Sequence, residues 1–138
     1  MADEPLYVEV VCADGRVWEG EATQVTARTT EGDVGILARH EPFLAALVPG
    51  AVEVITVQGE REIMAVDGGF VSVADNRVSV IAQYAKIAQE ISLEGAEKEL
   101  REAEKALNEG ETDEATRRHF NRASAQVKAA QKAHGQAH

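Results

Sequence analysis

Residues 32–43 read GDVGILARHEPF, and this stretch fits neither a helix nor a regularly alternating strand. Gly32 and Gly35 free the backbone to adopt positive φ or to let another backbone approach, whereas Pro42 fixes φ and removes a hydrogen-bond donor. An apolar run, Phe43–Val48, follows directly. The pattern predicts a strand and a loop on a rigid scaffold, where contact surfaces are commonly found.

His40 stands in this stretch between Arg39 and Glu41. A lone histidine in a loop usually hydrogen-bonds the loop and fixes its shape. No Cys, Asp or second His stands at the spacing that a metal site requires. We therefore expect His40 to hold the loop rather than to bind a metal ion.

The N-terminal segment has the two-residue period of a β-strand. Apolar side chains recur at alternate positions from Leu6 to Cys12, and Asp14-Gly15 is typical of a two-residue hairpin turn in which both central residues have positive φ. We expect the chain to return antiparallel over Arg16–Glu21. A third strand is predicted over Thr23–Thr29, which is rich in β-branched residues.

Short strands separated by turn residues continue as far as residue 85. Turns are expected at Pro49-Gly50, Gln58-Gly59, Asp67-Gly68-Gly69 and Asp75-Asn76, with strands over 51–57, 60–66, 70–73 and 77–82. This regular spacing predicts a β-sandwich or barrel. Asp67 is interpreted as a turn residue rather than a catalytic base.

The composition changes after Ile91 to helix-forming residues without proline. Ser92 is a suitable N-cap for a first helix that ends at Gly110, and Thr112 or Asp113 is suitable for a second. The apolar stripes are Leu93, Ala96, Leu100, Ala103 and Leu107 on the first helix and Thr116, Phe120, Ala123, Val127 and Ala130 on the second.

The two helices carry opposite net charge, because acidic residues predominate in the first and basic residues in the second. We expect an antiparallel hairpin whose helices pair their charges. The stripes are rich in alanine, which buries little area, so the hairpin is predicted to dock weakly and to be able to detach.

Composition excludes several function classes. The chain has 138 residues, one cysteine (Cys12) and a formal net charge of −10 at pH 7. The negative charge disfavours nucleic acid and anionic lipid surfaces as direct partners. No basic and apolar leader or membrane-spanning run is present, so we expect a soluble protein on the cytosolic side. No phosphate-binding loop, metal motif or nucleophile elbow occurs, which disfavours an enzyme.

The stretch at 32–43, followed by DGGFVSVADNRVSVIA at 67–82, resembles the epsilon subunit of bacterial F-type ATP synthase. The resemblance implies a flattened β-sandwich of eight to ten strands over residues 1–87 and a C-terminal helical hairpin over 88–138. It also implies a non-catalytic rotor subunit that binds the gamma subunit and the c-ring, peripheral at the cytoplasmic face of the membrane. The hairpin is then expected to inhibit ATP hydrolysis by reaching the alpha and beta subunits.

The partner contacts expected from this resemblance lie in and beside the opening stretch, at Glu31, Asp33, Val34, Gly35, Arg39 and His40. The competing interpretation is that this segment only packs the sandwich.

Some members of this family bind ATP through an Ile/Leu-Asp-x-x-Arg-Ala motif at the start of the first helix and arginines on the second. Here Ser92 and Gly95 replace the Asp and the Arg, Ala115 and Gln126 replace two of the helix-two arginines, and Arg122 is retained. We therefore expect no cofactor.

A different interpretation is a stand-alone sandwich that binds a small ligand and dimerises through its helices. Such a protein would need a concave aromatic site, and the chain has few aromatic residues with which to build one.

Overall fold

The computed structural model describes residues 4–134, so positions 1–3 and 135–138 of the two predicted domains lie outside the described residues. Within the described residues, nine strands precede two helices. The strands are β1 (Leu6–Cys12), β2 (Gly15–Thr29), β3 (Gly32–Leu37), β4 (Phe43–Ala46), β5 (Gly50–Thr56), β6 (Arg61–Val66), β7 (Phe70–Ala74), β8 (Arg77–Ile81) and β9 (Ala85–Ile87). A 3-10 turn (Ala88–Glu90) leads to α1 (Leu93–Asn108) and α2 (Glu114–His134).

The strands form a mixed sheet that folds over one apolar core. Their order is β4-β7-β8-β1-β2-β5-β6-β9, and β3 pairs with β2 beside this path. The β1–β8 pair is parallel and the other pairs are antiparallel. Leu6, Val8 and Val10 of β1 alternate inward and are completely buried, as the two-residue period requires.

Strand β2 is longer than the sequence indicated. The segments expected as two strands, Arg16–Glu21 and Thr23–Thr29, form one strand of 15 residues. An irregularity between Ala22 and Gln24 marks the point where the pairing partner changes from β1 to β3 and β5. The prediction of two separate strands here was wrong because a bulge bends a strand without ending it.

The hairpin turn that the sequence placed at Asp14-Gly15 has a different geometry. Only Gly15 has positive φ, at 125°, whereas the expected turn requires positive φ at both residues. That geometry occurs instead at Asp75 and Asn76, with φ of 53° and 60°, between β7 and β8. Both side chains are of the kind that tolerates the left-handed region.

The first helix begins where the sequence predicts. The Ser92 hydroxyl accepts a hydrogen bond of 3.0 Å from the backbone N–H of Gly95, which is the N-cap interaction. Gly110 follows the helix with φ of 92°, the conformation that commonly ends a helix. At the start of α2, the Asp113 carboxylate accepts a hydrogen bond from the Thr116 hydroxyl, and this bond lowers the pKa of Asp113.

Helix α2 is buried on a second face that the sequence did not reveal. Ala123, Val127 and Ala130 lie on the predicted stripe, but Ala125 and Ala129 are also completely buried. These two alanines belong to the cluster that includes Ile63 and other residues of the sandwich. Helix α2 therefore packs between α1 and the sheet, where it contacts β5 and β6.

The expected charge pairing between the helices was largely wrong. Among the polar side-chain contacts of the described residues, only that between His119 Nε2 and Glu99 Oε1, at 2.8 Å, joins α1 to α2, and it is an ion pair only when His119 is protonated. Arg118 pairs within its own helix, whereas Arg122 and Lys132 point to the sandwich. The net charges of the helices did not reveal that one helix lies between the other and the sheet.

Candidate partner-contact surface

Strand β3 lies at an edge of the sheet. It pairs with β2 along one side, and no other described strand pairs with it. Ile36 is completely buried, whereas Gly35 and Leu37 on either side of it are exposed. A Cβ added at Gly35 would meet nothing within 4 Å, so the sheet face is open there, and the side of β3 that no described strand pairs offers its backbone groups to another chain.

The turn before β3 is held by side-chain hydrogen bonds. The Thr29 hydroxyl donates to the carbonyl of Gly32 at 2.8 Å and accepts from the N–H of Glu31 at 3.0 Å. Gly32 has φ of 116°, which favours glycine. The turn therefore presents the Glu31 side chain to solvent on a fixed backbone.

Asp33 is engaged by a neighbour on β2. Arg28 lies directly opposite it, and the Arg28 Nε is 2.8 Å from the Asp33 Oδ1. The hydrogen bond and the charge of Arg28 lower the pKa of Asp33. Both side chains are more than half exposed, so the pair adds little to stability and leaves the carboxylate accessible.

The turn after β3 contains His40 and Arg39. The His40 Nδ1 lies 2.7 Å from the Glu41 carbonyl oxygen, and the ring centroid is 5.1 Å from that of Phe43. Arg39 has φ of 67°, and its backbone N–H donates a hydrogen bond of 2.6 Å to Asn76 Oδ1. His40 thus holds the loop, as a lone loop histidine is expected to do.

The predicted contact residues fall into two groups. Glu31, Asp33 and Val34 line a groove of about 490 Å³ between the turn before β3 and strand β4. Arg39 and His40 line another concavity beside Asp75 and Asn76. The groups stand at opposite ends of β3, whose six residues span about 20 Å. A partner that contacts both groups needs an interface of at least this length.

A second exposed surface was missed from the sequence. Leu44, Phe70 and Ile81 are 70%, 54% and 55% exposed, and we call them the apolar patch. Phe70 pairs directly with Ile81, while Leu44 pairs with Ser72, two positions from Phe70 on the same face. The patch comes from three strands, and their alternation alone does not show that the outward residues meet.

The positions corresponding to the ATP motif serve other roles here. Ser92 caps α1 through its hydroxyl, and Gly95 supplies the N–H that the hydroxyl accepts. Arg122 points toward Asp67 and Tyr84. Arg122 is therefore engaged by groups of this chain.

Asp67 has the turn role that the sequence predicts. Its Oδ1 accepts a hydrogen bond of 3.1 Å from the N–H of Tyr84.

Between residues 4 and 134, no group of three His, Cys, Asp or Glu side chains is placed to hold a metal ion. Neither described helix is long and apolar enough to cross a membrane.

Comparisons with known proteins agree with this architecture. Residues 5–88 match the family model of the ATP synthase delta/epsilon chain beta-sandwich domain. The "ATP synthase epsilon chain" of Cutibacterium acnes is 50% identical over 115 residues, which cover 83% of this chain and 79% of the relative. This chain belongs to the ATP synthase epsilon chain family. The protein of the same description from Streptomyces avermitilis is 49% identical over 106 residues, covering 77% of this chain and 83% of the relative.

Solved structures extend the family's likeness to the helical hairpin. A chain in the cryo-EM structure of the Euglena gracilis mitochondrial ATP synthase, OSCP/F1/c-ring in rotational state 1, aligns with a TM-score of 0.73 and 27% identity, covering 99% of this chain and 85% of that one. A chain of the Tetrahymena thermophila mitochondrial ATP synthase central stalk and c-ring aligns with a TM-score of 0.55 and 17% identity, covering 96% and 98%, which shows the fold alone. The predicted family and the predicted fold class, a β-sandwich followed by two helices, are confirmed.

Proposed function

We propose that the chain is a non-catalytic central-stalk subunit of a proton-translocating F-type ATP synthase. In this role it binds the gamma subunit and the c-ring and couples rotation to ATP synthesis, as a peripheral subunit at the cytoplasmic face of the membrane. Its family membership and its likeness to a chain in a solved ATP synthase support the proposal. The observation that carries it furthest is the pair of surfaces that the sandwich leaves uncovered.

The two uncovered surfaces suit different partners. The apolar patch of Leu44, Phe70 and Ile81 is suited to a packed, lasting contact, which we assign to gamma. The β3 edge is open and combines the acidic turn residue Glu31 with the exposed Leu37, which suits the loops of a c-ring. Helix α2 packs on β5 and β6, so neither surface is covered by the described hairpin.

The assignment to gamma is tested with single substitutions in the full chain. Phe70→Thr and Ile81→Thr place a β-branched residue with good strand propensity at each exposed position while removing apolar area. We expect each to weaken binding to a gamma-containing complex that lacks this subunit by roughly ten- to thirtyfold, the range for a central interface residue. The dissociation constant is measured by titration, and the association and dissociation rates are then measured with the gamma-containing complex immobilised on a sensor surface.

Val57→Thr is the matched control, because Val57 is 42% exposed and lies after β5, away from the patch. This variant should bind like the unmodified chain. Equal affinities for all three variants would rule out the patch as the gamma contact. Identification of companions after detergent extraction from native membranes tests the wider assignment, and a protein recovered without ATP synthase subunits would contradict it.

A second role, inhibition of ATP hydrolysis by the hairpin, is supported by the character of α2. Its exposed arginines, Arg117 and Arg118, form a basic surface suited to acidic segments of the alpha and beta subunits. The buried residues of α2 are four alanines and one valine, so docking on the sandwich involves little apolar area. The hairpin is therefore able to exchange this contact for a larger one.

Truncation after Ala88 tests this role in the assembled enzyme. The truncated chain should raise the ATPase rate, and an unchanged rate with intact assembly would remove the inhibitory role. Because truncation uncovers Ile63 and Ala65 of the sandwich, a full-length variant is needed as well. Arg117→Gln combined with Arg118→Gln should raise the rate without altering the packing of the sandwich.

A further inference from the structure

One polar cluster stands out in the contact between α2 and the sandwich. Its sandwich half is formed by Asp67, in the loop after β6, and Tyr84, in the loop before β9. The Asp67 N–H donates to the Tyr84 carbonyl at 3.2 Å, and the Asp67 Oδ1 accepts from the Tyr84 N–H at 3.1 Å. The two loops are therefore tied in both directions, and the Asp67 side chain is only 8% exposed.

The helix half is formed by Arg122 and Gln126, which lie one turn apart on α2. The Gln126 Nε2 donates a hydrogen bond of 2.6 Å to the Tyr84 hydroxyl. The Arg122 guanidinium carbon lies 5.1 Å from the centroid of the Tyr84 ring, and its Nε is 3.9 Å from the Asp67 Oδ2. Arg122 thus supplies the positive charge that faces a nearly buried carboxylate, which is costly to leave without a partner.

The cluster lies where the buried part of α2 begins. No residue from Glu114 to Arg122 is buried, whereas the five buried residues of α2 all lie between Ala123 and Ala130. Arg122 and Gln126 therefore lie where the helix meets the sandwich. Farther along α2, Lys128 donates a hydrogen bond of 3.3 Å to the Pro49 carbonyl, and the Lys132 Nζ lies 4.0 Å from the Glu53 Oε1. Both of these lysines are partly exposed, whereas the cluster holds a nearly buried carboxylate, so its directional contacts add to the shallow packing of the alanines at the point where docking begins.

We propose that Asp67, Tyr84, Arg122 and Gln126 form a latch that holds the helical hairpin on the sandwich and sets the fraction of molecules in which it is docked. The latch joins groups of this chain alone. The proposal concerns the isolated chain, and its failure would leave the assignment to the central stalk intact.

The test is hydrogen exchange of backbone amides in the full-length chain, measured by NMR. Tyr84→Phe removes the hydroxyl and keeps the ring, and Arg122→Gln removes the charge. We expect each to speed exchange of the amides from Ala125 to Ala130 by roughly two- to tenfold, the range for losing one hydrogen bond or one partly exposed ion pair. Exchange at Val8 and other core amides of the sheet should not change.

Arg117→Gln is the matched control, because it removes the same charge from an exposed position on the same helix. It should leave exchange unaltered. Asp67→Asn keeps the acceptor for the Tyr84 N–H, and in this background Arg122→Gln should have a smaller effect than in the unmodified chain.

Two results would overturn the latch. The first is equal exchange in Arg122→Gln and Arg117→Gln, which would mean that the position of the charge is irrelevant. The second is acceleration of the sheet amides by the same factor as the helix amides, which would mean that the substitutions destabilise the whole fold rather than the docking of the hairpin.

Discussion

Asn76, in the turn between β7 and β8, accepts a 2.6 Å hydrogen bond through its Oδ1 from the backbone N–H of Arg39. This contact joins two segments 37 residues apart. It fixes the turn that follows β3, and with it half of the candidate contact surface. Both Arg39 and Asn76 have positive φ, so two unusual backbone conformations meet at one hydrogen bond.

Replacing Asn76 should loosen the turn that follows β3 without unfolding the β7–β8 hairpin. Asn76→Gly keeps a residue that adopts positive φ readily but removes the acceptor. We expect the Arg39 amide to exchange roughly five- to tenfold faster, in line with the loss of one hydrogen bond. Asp75→Gly is the control, since Asp75 also has positive φ, and protection of the Arg39 amide should persist. The same protection in both variants would contradict a positioning role for Asn76.

Gly69 is predicted to be the least replaceable glycine of the sandwich. Its φ is 99°, and an added Cβ would lie 2.0 Å from the Ile81 carbonyl oxygen and 2.8 Å from the Ala82 Cα. Because these are backbone atoms, relief requires movement of β8. Gly69→Ala should lower the free energy of unfolding by at least about 3 kcal/mol, beyond the usual cost of positive φ.

Gly59→Ala isolates the backbone contribution to this loss. Gly59 has φ of 86°, and an added Cβ would meet nothing within 4 Å. The expected loss is about 1 kcal/mol from conformation alone. Urea unfolding of both variants measures the difference, and similar losses would show that the close approach to Ile81 relaxes easily.

Local features of this chain were predictable where one residue or one period decides them. Ser92 caps α1, and the alternation from Leu6 onward gives the core face of β1. Features that depend on a distant partner were not. The prediction of the turn type at Asp14-Gly15 was wrong because the paired strands impose a turn geometry that the preference of the dipeptide does not override.

The second face of α2 shows the same limit. Ala125 and Ala129 are completely buried, yet alanine is common on exposed and buried faces of helices alike, so no periodicity distinguishes them. Similarly, Phe70 and Ile81 become neighbours only through the pairing of β7 with β8. The candidate contact surface was therefore predicted at the β3 stretch but not at the apolar patch.

Both tyrosines of the described chain should resist ionisation. The hydrogen bond to Glu19 raises the pKa of Tyr7, and burial raises the pKa of Tyr84, opposed in part by Gln126 and Arg122. A pKa raised in the folded state contributes stability that is complete below the unfolded value of about 10 and is lost as the pH rises above it.

An alkaline titration of tyrosine absorbance measures this effect. The native protein should titrate above the midpoint of the same protein in denaturant. Glu19→Gln should lower the midpoint of Tyr7 and leave that of Tyr84 unchanged. A native midpoint equal to that in denaturant would show that neither the hydrogen bond to Glu19 nor burial acts in solution.

ATP should not bind saturably in the sub-millimolar range. Ser92 uses its hydroxyl to cap α1, Gly95 has no side chain to neutralise phosphate, and Arg122 faces Asp67. Equilibrium dialysis of the isolated chain with labelled ATP measures binding. Saturable sub-millimolar binding would mean that Arg122 leaves Asp67 to contact the nucleotide. The nucleotide would then also stabilise the hairpin in its docked position on the sandwich.

The N-cap hydrogen bond of Ser92 should contribute to the stability of α1. Ser92→Ala should destabilise the helix by about 1 kcal/mol, because the N–H of Gly95 loses its acceptor. Ser92→Asp should retain the cap, since aspartate is as good an N-cap as serine and its charge suits a helix N-terminus. Thermal unfolding followed by circular dichroism ranks the three proteins. If Ser92→Asp unfolds at as low a temperature as Ser92→Ala, the hydroxyl acts through packing rather than as an acceptor, and the N-cap assignment is wrong.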